Sequence, residues 1–149
     1  MVSVNCRPVA ERFEGGTSPV ADRLAALRRL GLDGYPVGLT IAPIMPLPGW
    51  REHYGELLAA VVAAVDGVPG LDLTAELITH RFTPGSKDVL LGWYPRTKLE
   101  MDEEARSRKH GKFGAVKYVY PRDTMAELRE WFEERIARDL PSCRILYWT

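Results

Sequence analysis

The chain has 149 residues, of which 46% are apolar and 27% are charged, a composition typical of one globular domain with a buried core. Twenty basic residues balance twenty acidic ones, which excludes a protein that coats nucleic acid through overall positive charge. Any contact with nucleic acid must therefore be a local patch.

Strands and helices alternate along the sequence. In chain order we predict a strand at 2–5, a helix within 17–34, a strand at 36–43, a helix within 49–67, a strand at 71–78, a short helix within 84–95, a strand at 98–101, a basic ribbon at 108–122, a helix within 121–141 and a closing strand at 143–149. This alternation predicts an α/β fold with a parallel sheet. A closed (β/α) barrel takes about 250 residues, so the chain has the pattern of half of a larger unit.

The basic ribbon, "RKHGKFGAVKYVYPR" at 108–122, combines cations with aromatic residues. Its alternation around two glycines predicts a hairpin with Lys112 and Phe113 at the tip. A cation beside an aromatic ring on a protruding tip can contact a phosphate and stack on a base. The alternative is an ordinary solvated hairpin whose Tyr118 and Tyr120 pack on the body.

A second group of polar residues, Glu76, His80 and Arg81, lies at the predicted carboxyl end of a buried strand. Ligands bind at that end of parallel α/β sheets, so the histidine and arginine could bind a phosphate or position an acid. The alternative is a capping arginine and a histidine bonded to a loop carbonyl.

The tryptophans and cysteines are interpreted as structural rather than functional residues. Trp50, Trp93 and Trp131 fall within helical patterns, and we expect all three to pack. The two cysteines, Cys6 and Cys143, form neither a disulfide framework nor a metal-ligand spacing, as in a reducing compartment. No apolar run approaches the roughly 18 residues that span a bilayer, and no signal peptide is visible. We expect a soluble cytoplasmic protein.

Several stretches together resemble the spore photoproduct lyase family, whose members are radical S-adenosylmethionine (AdoMet) enzymes that reverse a thymine dimer in DNA. The matching stretches occur in the same order over essentially the whole chain, which is similar to the C-terminal half of the family's members. It rests on "SVNCRPVAERFEGGTSP", "GYPVGLTIAPI", "ELITHRFT", "YPRTKLEMDEE", "HGKFGAVKYVYP" and "ILYWT".

The resemblance implies the C-terminal half of a partial (β/α) TIM-like barrel in one unit, 1–149. Barrel strands and helices would occupy 1–104, and 105–149 would form a DNA-facing β-hairpin and a C-terminal helix and strand extension. The partners would be damaged double-stranded DNA and the missing N-terminal radical AdoMet half, with no membrane.

The resemblance also implies a partial AdoMet site, in which Ser3 and the backbone of Ala42 contact the cofactor. It places Lys112 and Phe113 on the hairpin that reaches the damaged DNA, where the family has a basic residue and a tyrosine. The family's 4Fe-4S cluster is held by a CxxxCxxC motif that this chain lacks, so we expect the isolated chain to be catalytically inert, with an exposed first strand that favours self-association.

Two other functions remain open at this point. One is a non-catalytic nucleic-acid-binding α/β module, and the other is a TIM-barrel metabolic enzyme that uses Glu76, His80 and Arg81. A CxxxCxxC motif in a preceding segment of the same protein would favour the lyase over both alternatives.

Overall fold

The computed structural model describes residues 1–111 and 113–149. The strands in these ranges are β1 (Val2–Val4), β2 (Val37–Ile44), β3 (Leu73–Thr79), β4 (Ser107–His110), β5 (Val116–Val119) and β6 (Arg144–Trp148). The helices are α1 (Arg7–Phe13), α2 (Val20–Leu32), α3 (Trp50–Val65), α4 (Pro84–Trp93) and α5 (Arg122–Asp139). In the ranges described, no helix is both long and apolar enough to cross a bilayer.

Four strands form a parallel sheet in the order β1-β2-β3-β6. This arrangement confirms the predicted α/β class. The other two strands, β4 and β5, pair antiparallel as a separate hairpin, as the glycines of the basic ribbon predict.

Helices cover one face of this sheet. Along β3 every second residue is buried, beginning with Leu73. Leu73 and Leu77 pack with apolar residues of α2, α3 and α5 in one core. The alternate residues point to the opposite face, where Ser3, Thr40 and Glu76 lie side by side in register and retain some exposure. The sheet therefore has one apolar, covered face and one polar face.

The centre of the core is aromatic. Tyr54 of α3 and Phe132 of α5 are the largest completely buried side chains of the described part of the chain. Their ring centroids are 5.2 Å apart in an edge-to-face arrangement, which adds about 0.5–1.5 kcal/mol to the gain from burial alone. This contact fixes α3 against α5 on the covered face.

The strand predicted at 98–101 is wrong. In this irregular segment Leu99 is half-buried and Met101 is buried, with the exposed Glu100 between them, so the burial pattern imitates the period of a strand. The Leu99 N–H, however, donates to Thr97 Oγ1 at 3.2 Å rather than to a neighbouring strand. The place beside β3 is filled by β6, the closing strand that the sequence also predicts.

The expected packing of Trp93 is also wrong. This side chain is 77% exposed. The other two tryptophans do pack, since Trp50 is buried, Trp131 is partly buried, and their ring centroids are 5.2 Å apart. The reason for the exposure of Trp93 lies in α4, which has ten residues and buries none of them. Its apolar residues, at 89–91 and 93, surround the helix instead of forming one stripe, so no single face can cover them all.

Candidate nucleic-acid interface and cofactor site

Ser3 and Ala42 lie close together at the carboxyl ends of neighbouring strands. Ser3 pairs with Thr40, and Ala42 follows two residues later on the same strand. Both residues line one open cavity of about 670 Å³, together with Arg23 and Pro43. The structure thus brings together the two residues for which the family resemblance implies AdoMet contact.

Arg23 of α2 organises the rim of this cavity. Its Nη1 donates to the Ser3 carbonyl at 3.3 Å and to Glu14 Oε2 at 2.8 Å, and its Nη2 donates to Thr17 Oγ1 at 2.6 Å. The Arg23 and Glu14 side chains are each only 14% exposed. Arg23 has no signal in the sequence, because nothing in a helical pattern shows that the guanidinium turns back onto β1.

A buried polar network fixes the strand ends behind the cavity. Asn5 is completely buried, and its Nδ2 donates to the Pro43 carbonyl at 3.0 Å. Its Oδ1 accepts from the Cys6 N–H at 2.9 Å and from the Tyr54 hydroxyl at 3.3 Å. The Tyr54 hydroxyl in turn accepts from the Met45 N–H at 2.9 Å. A polar residue directly after the apolar "VSV" was the available signal for Asn5.

The two cysteines cannot hold an iron–sulfur cluster. Cys6 follows β1 and Cys143 precedes β6, and these strands form opposite edges of the sheet. Burial raises the pKa of the Cys6 thiol and raises that of Cys143 to about 11, whereas metal ligation requires thiolates. No group of three or more potential metal ligands occurs among residues 1–111 and 113–149. The residues present therefore do not fit a 4Fe-4S cluster.

Glu76, His80 and Arg81 are not assembled into one site. Glu76 lies within β3, beside Thr40, whereas Arg81 Nη1 donates to Thr149 Oγ1 at 2.7 Å. No hydrogen bond or ion pair within the described ranges joins Glu76 to either of the other two. The structure therefore gives no support to the metabolic enzyme that would use all three residues.

His80 instead belongs to the base of the hairpin. Its Nδ1 lies 3.1 Å from Arg106 Nη2, and because a guanidinium can only donate, this ring nitrogen is the acceptor and the ring is neutral. Burial, helped by the positive charge of Arg106, lowers the pKa of His80 to about 4. The imidazole is therefore uncharged at neutral pH.

Arg106 anchors the hairpin to the body. Its side chain is only 1% exposed, and it donates to Glu100 Oε2 at 2.6 Å and to the His80 carbonyl at 3.0 Å. The guanidinium carbon lies 3.8 Å from the ring centroid of Tyr120 and 5.4 Å from that of Phe82. Hydrogen bonds and cation–π contacts together hold this charge where water cannot reach it.

A second contact joins the hairpin to the end of β3. The backbones of Phe82 and Tyr118 exchange hydrogen bonds of 3.1 and 2.8 Å, and their rings stack with centroids 5.2 Å apart. Tyr118 and Tyr120 thus pack on the body, as the alternative interpretation of the ribbon expected for these two residues. The base of the hairpin is consequently fixed.

The tip of the hairpin is exposed. Phe113 is 99% exposed, and Gly114, with a φ of 76°, closes the turn by donating to the Gly111 carbonyl at 3.1 Å. An apolar ring in full contact with water contributes no burial energy to the stability of the fold, and its faces are available for stacking on a ligand. Lys112 lies outside the described residues, so its predicted DNA contact stays a prediction, as does that of Phe113.

Comparison with known proteins identifies the family. The family model of spore photoproduct lyase matches residues 1–149. The chain belongs to the spore photoproduct lyase family. It is 44% identical over 147 residues to the spore photoproduct lyase of Geobacillus sp. (strain Y412MC61) and 42% identical over 147 residues to that of Bacillus subtilis (strain 168). Each alignment covers 99% of this chain and 43% of the relative, so the chain spans less than half the length of these lyases.

Solved structures of the family have the same fold. A spore photoproduct lyase double mutant with bound AdoMet and dinucleoside spore photoproduct superposes with a TM-score of 0.93 at 39% identity, covering 99% of this chain and 43% of that one. A spore photoproduct lyase complexed with dinucleoside spore photoproduct gives the same values. The chain matches the C-terminal half of these lyases.

Proposed function

We propose that this chain is the C-terminal, DNA-facing part of a radical AdoMet lyase that reverses UV-induced thymine dimers. The observation that carries the proposal is that the Ser3–Ala42 cavity and the hairpin lie at the same edge of the sheet. The Ser3–Ala42 cavity lies at the carboxyl ends of β1 and β2, and the hairpin is anchored at 80–82, directly after β3. Carboxyl ends of parallel strands meet at one edge of a sheet, the edge where ligands bind.

The cofactor proposal is limited to a partial AdoMet site. Ser3 and Ala42 fit such a role because both line one open cavity. AdoMet supplies the radical chemistry in this family when it is bound with a reduced cluster. In this chain Ser3 and the backbone of Ala42 would hold the cofactor, while Arg23 and Asn5 keep the two strand ends in position.

The remainder of the barrel and the cluster would come from an N-terminal half. The relatives are more than twice as long as the matched segment, and β1 is an edge strand of the sheet. The polar face that carries Ser3, Thr40 and Glu76 would become the interior of a partial (β/α) barrel once further strands join β1. Polar side chains on that face are consistent with a ligand-binding interior.

At the hairpin tip, Phe113 would stack on a base at the lesion. Similar contacts between aromatic side chains and bases contribute about 1–3 kcal/mol each. Phenylalanine has no hydroxyl, so recognition at this position depends on ring contact alone. The phosphate contact is assigned to Lys112.

An anaerobic repair assay tests the proposal. The complete protein, incubated with AdoMet, a reductant and dinucleoside spore photoproduct, should release thymidine. The 149-residue chain alone, reconstituted with iron and sulfide, should give no stable cluster spectrum and no thymidine. A complete protein that binds the lesion duplex but releases no thymidine under these conditions would favour the non-catalytic binding module instead.

A further inference from the structure

A cleft beside the Ser3–Ala42 cavity is lined by cations and aromatic rings. It lies between the end of α1 and the segment 93–99, and its volume is about 940 Å³. No aspartate or glutamate lines this cleft in the described chain. Its three cations and three aromatic residues are Arg12, Arg96, Lys98, Phe13, Trp93 and Tyr94.

The three cations are available to a ligand. Arg12, Arg96 and Lys98 are all exposed, and across 1–111 and 113–149 none of them forms an ion pair. The formal charge of the whole chain is zero. Three cations without a neighbouring carboxylate in the cleft therefore make a local positive surface on a neutral protein.

The wall of the cleft is held in a defined shape. The Thr97 N–H donates to the Tyr94 carbonyl at 2.9 Å, closing a β-turn with Pro95 at its second position, where proline is favoured. The Thr97 hydroxyl accepts from the Leu99 N–H at 3.2 Å, and Leu99 packs against the core. Arg96 thus projects from a braced turn.

The aromatic residues of this wall face water. Trp93 is 77% exposed and Tyr94 is 60% exposed, although burying either ring would favour folding by a few kcal/mol. Large rings left exposed beside unpaired cations are characteristic of surfaces that bind nucleic acid.

Both walls of the cleft belong to segments that leave the carboxyl edge of the sheet, where the hairpin is also anchored. One wall is the end of α1, the helix after β1, and the other follows α4, the helix after β3. Lys87 of α4 also pairs with Glu103 at 3.4 Å, which ties this helix to the segment that leads into the hairpin. A duplex whose lesion lies at the hairpin would extend past this edge of the sheet.

We propose that this cleft binds the sugar–phosphate backbone of the DNA that flanks the lesion. Arg12, Arg96 and Lys98 contact phosphates, and Trp93 and Tyr94 pack against sugars or bases. The inference rests on the proposed function. A dinucleoside has no flanking nucleotides, so the dinucleoside complexes of the relatives contain nothing that could occupy such a surface.

Binding to two ligands of different length tests this inference. The complete protein and its Arg96→Ala/Lys98→Ala variant would be titrated with dinucleoside spore photoproduct and with a lesion duplex of about 20 base pairs, at several salt concentrations. The variant should bind the duplex about tenfold more weakly near physiological salt, with a salt slope reduced by about two. Its affinity for the dinucleoside should not change.

Arg29→Ala is the matched control. Arg29 is also exposed, but it lies in the last turn of α2, which precedes β2 and therefore lies at the opposite edge of the sheet. This control should bind both ligands like the wild type. Equal duplex affinity and salt slope in the double variant and the wild type would overturn the inference while leaving the proposed function intact. A wild type that binds neither ligand would overturn both.

The competing occupant of the cleft is another part of the same polypeptide. Acrylamide quenching, with Trp93→Phe to identify the contribution of Trp93, distinguishes the two occupants. In the complete protein without DNA, Trp93 should be readily quenched, and the lesion duplex should protect it. Protection of Trp93 before DNA is added would show that the protein itself fills the cleft and would refute the inference.

Discussion

The base and the tip of the hairpin use similar chemistry in opposite environments. At the base, the Arg106 guanidinium lies 3.8 Å from the Tyr120 ring, and its side chain is 1% exposed. At the tip, Phe113 is 99% exposed, next to Lys112 in the sequence. A cation and an aromatic ring that are buried together stabilise the fold, whereas an exposed ring at the tip is free to contact a ligand. Substitutions at the base should therefore change stability, and those at the tip should change binding.

The largest effect is expected at Arg106. Replacing it by alanine leaves the His80 carbonyl and Glu100 without their partner and removes the contact with Tyr120. We expect Arg106→Ala to lower the free energy of unfolding by about 2–4 kcal/mol, measured by urea unfolding. The control is Arg108→Ala at an exposed hairpin position, which should stay within about 0.5 kcal/mol of the wild type. Equal effects of the two changes would remove the distinction between base and surface.

The charge state of His80 gives a pH dependence at the base. Its pKa is lowered from 6.5 to about 4, so on acidification the unfolded chain binds a proton before the folded chain does. The stabilising contribution is therefore complete above about pH 6.5 and is lost as the pH falls from there towards 4, with a slope of at most about 1.4 kcal/mol per pH unit.

Urea unfolding between these two pH values measures this slope. His80→Gln removes the titrating group, so the stability of the variant should fall less steeply with acidification than that of the wild type. Parallel curves for the two proteins would contradict the assignment of a neutral, partly buried imidazole at this position.

A smaller effect is expected at the second contact of the hairpin base. Tyr118 stacks on Phe82 at 5.2 Å, and Tyr118→Leu should cost about 0.5–1.5 kcal/mol of unfolding free energy, since it keeps an apolar side chain but loses the ring contact. Tyr35→Leu, at a position that is 61% exposed, serves as the control. A loss at Tyr118 as large as that at Arg106 would show that the two contacts anchor the hairpin equally, rather than Arg106 acting as the main anchor.

Local sequence patterns predict the strands that are marked by apolar runs, but they do not predict which strands pair. The apolar runs around Val2, Val37 and Leu73 predict strands, and the structure confirms them. The alternation through Leu99 and Met101 predicts a strand that does not exist, because pairing also requires a free neighbour. That neighbour, β3, pairs with a segment about 70 residues further along the chain, which no local pattern could show.

The candidate site also has parts that the sequence predicts and parts that it does not. Glycines predict the hairpin, and the exposure of Phe113 follows from its place at the tip. Arg106, by contrast, lies in a charged stretch, "DEEARSRK", that has the composition of a solvated surface. Its burial depends on Phe82 and Tyr120 converging from separate segments. Trp93 shows the converse error, because an apolar residue in a helix remains exposed when the helix has no covered face.

The most direct test of the account is to measure binding and stability together in the Phe113→Ala variant of the complete protein. Because the ring is fully exposed, the free energy of unfolding should change by less than about 0.5 kcal/mol. Affinity for a lesion duplex should fall by about 1–3 kcal/mol, with little change in the salt slope. Unchanged affinity, or a loss of affinity accompanied by an equal loss of stability, would contradict the assignment of the tip to lesion binding.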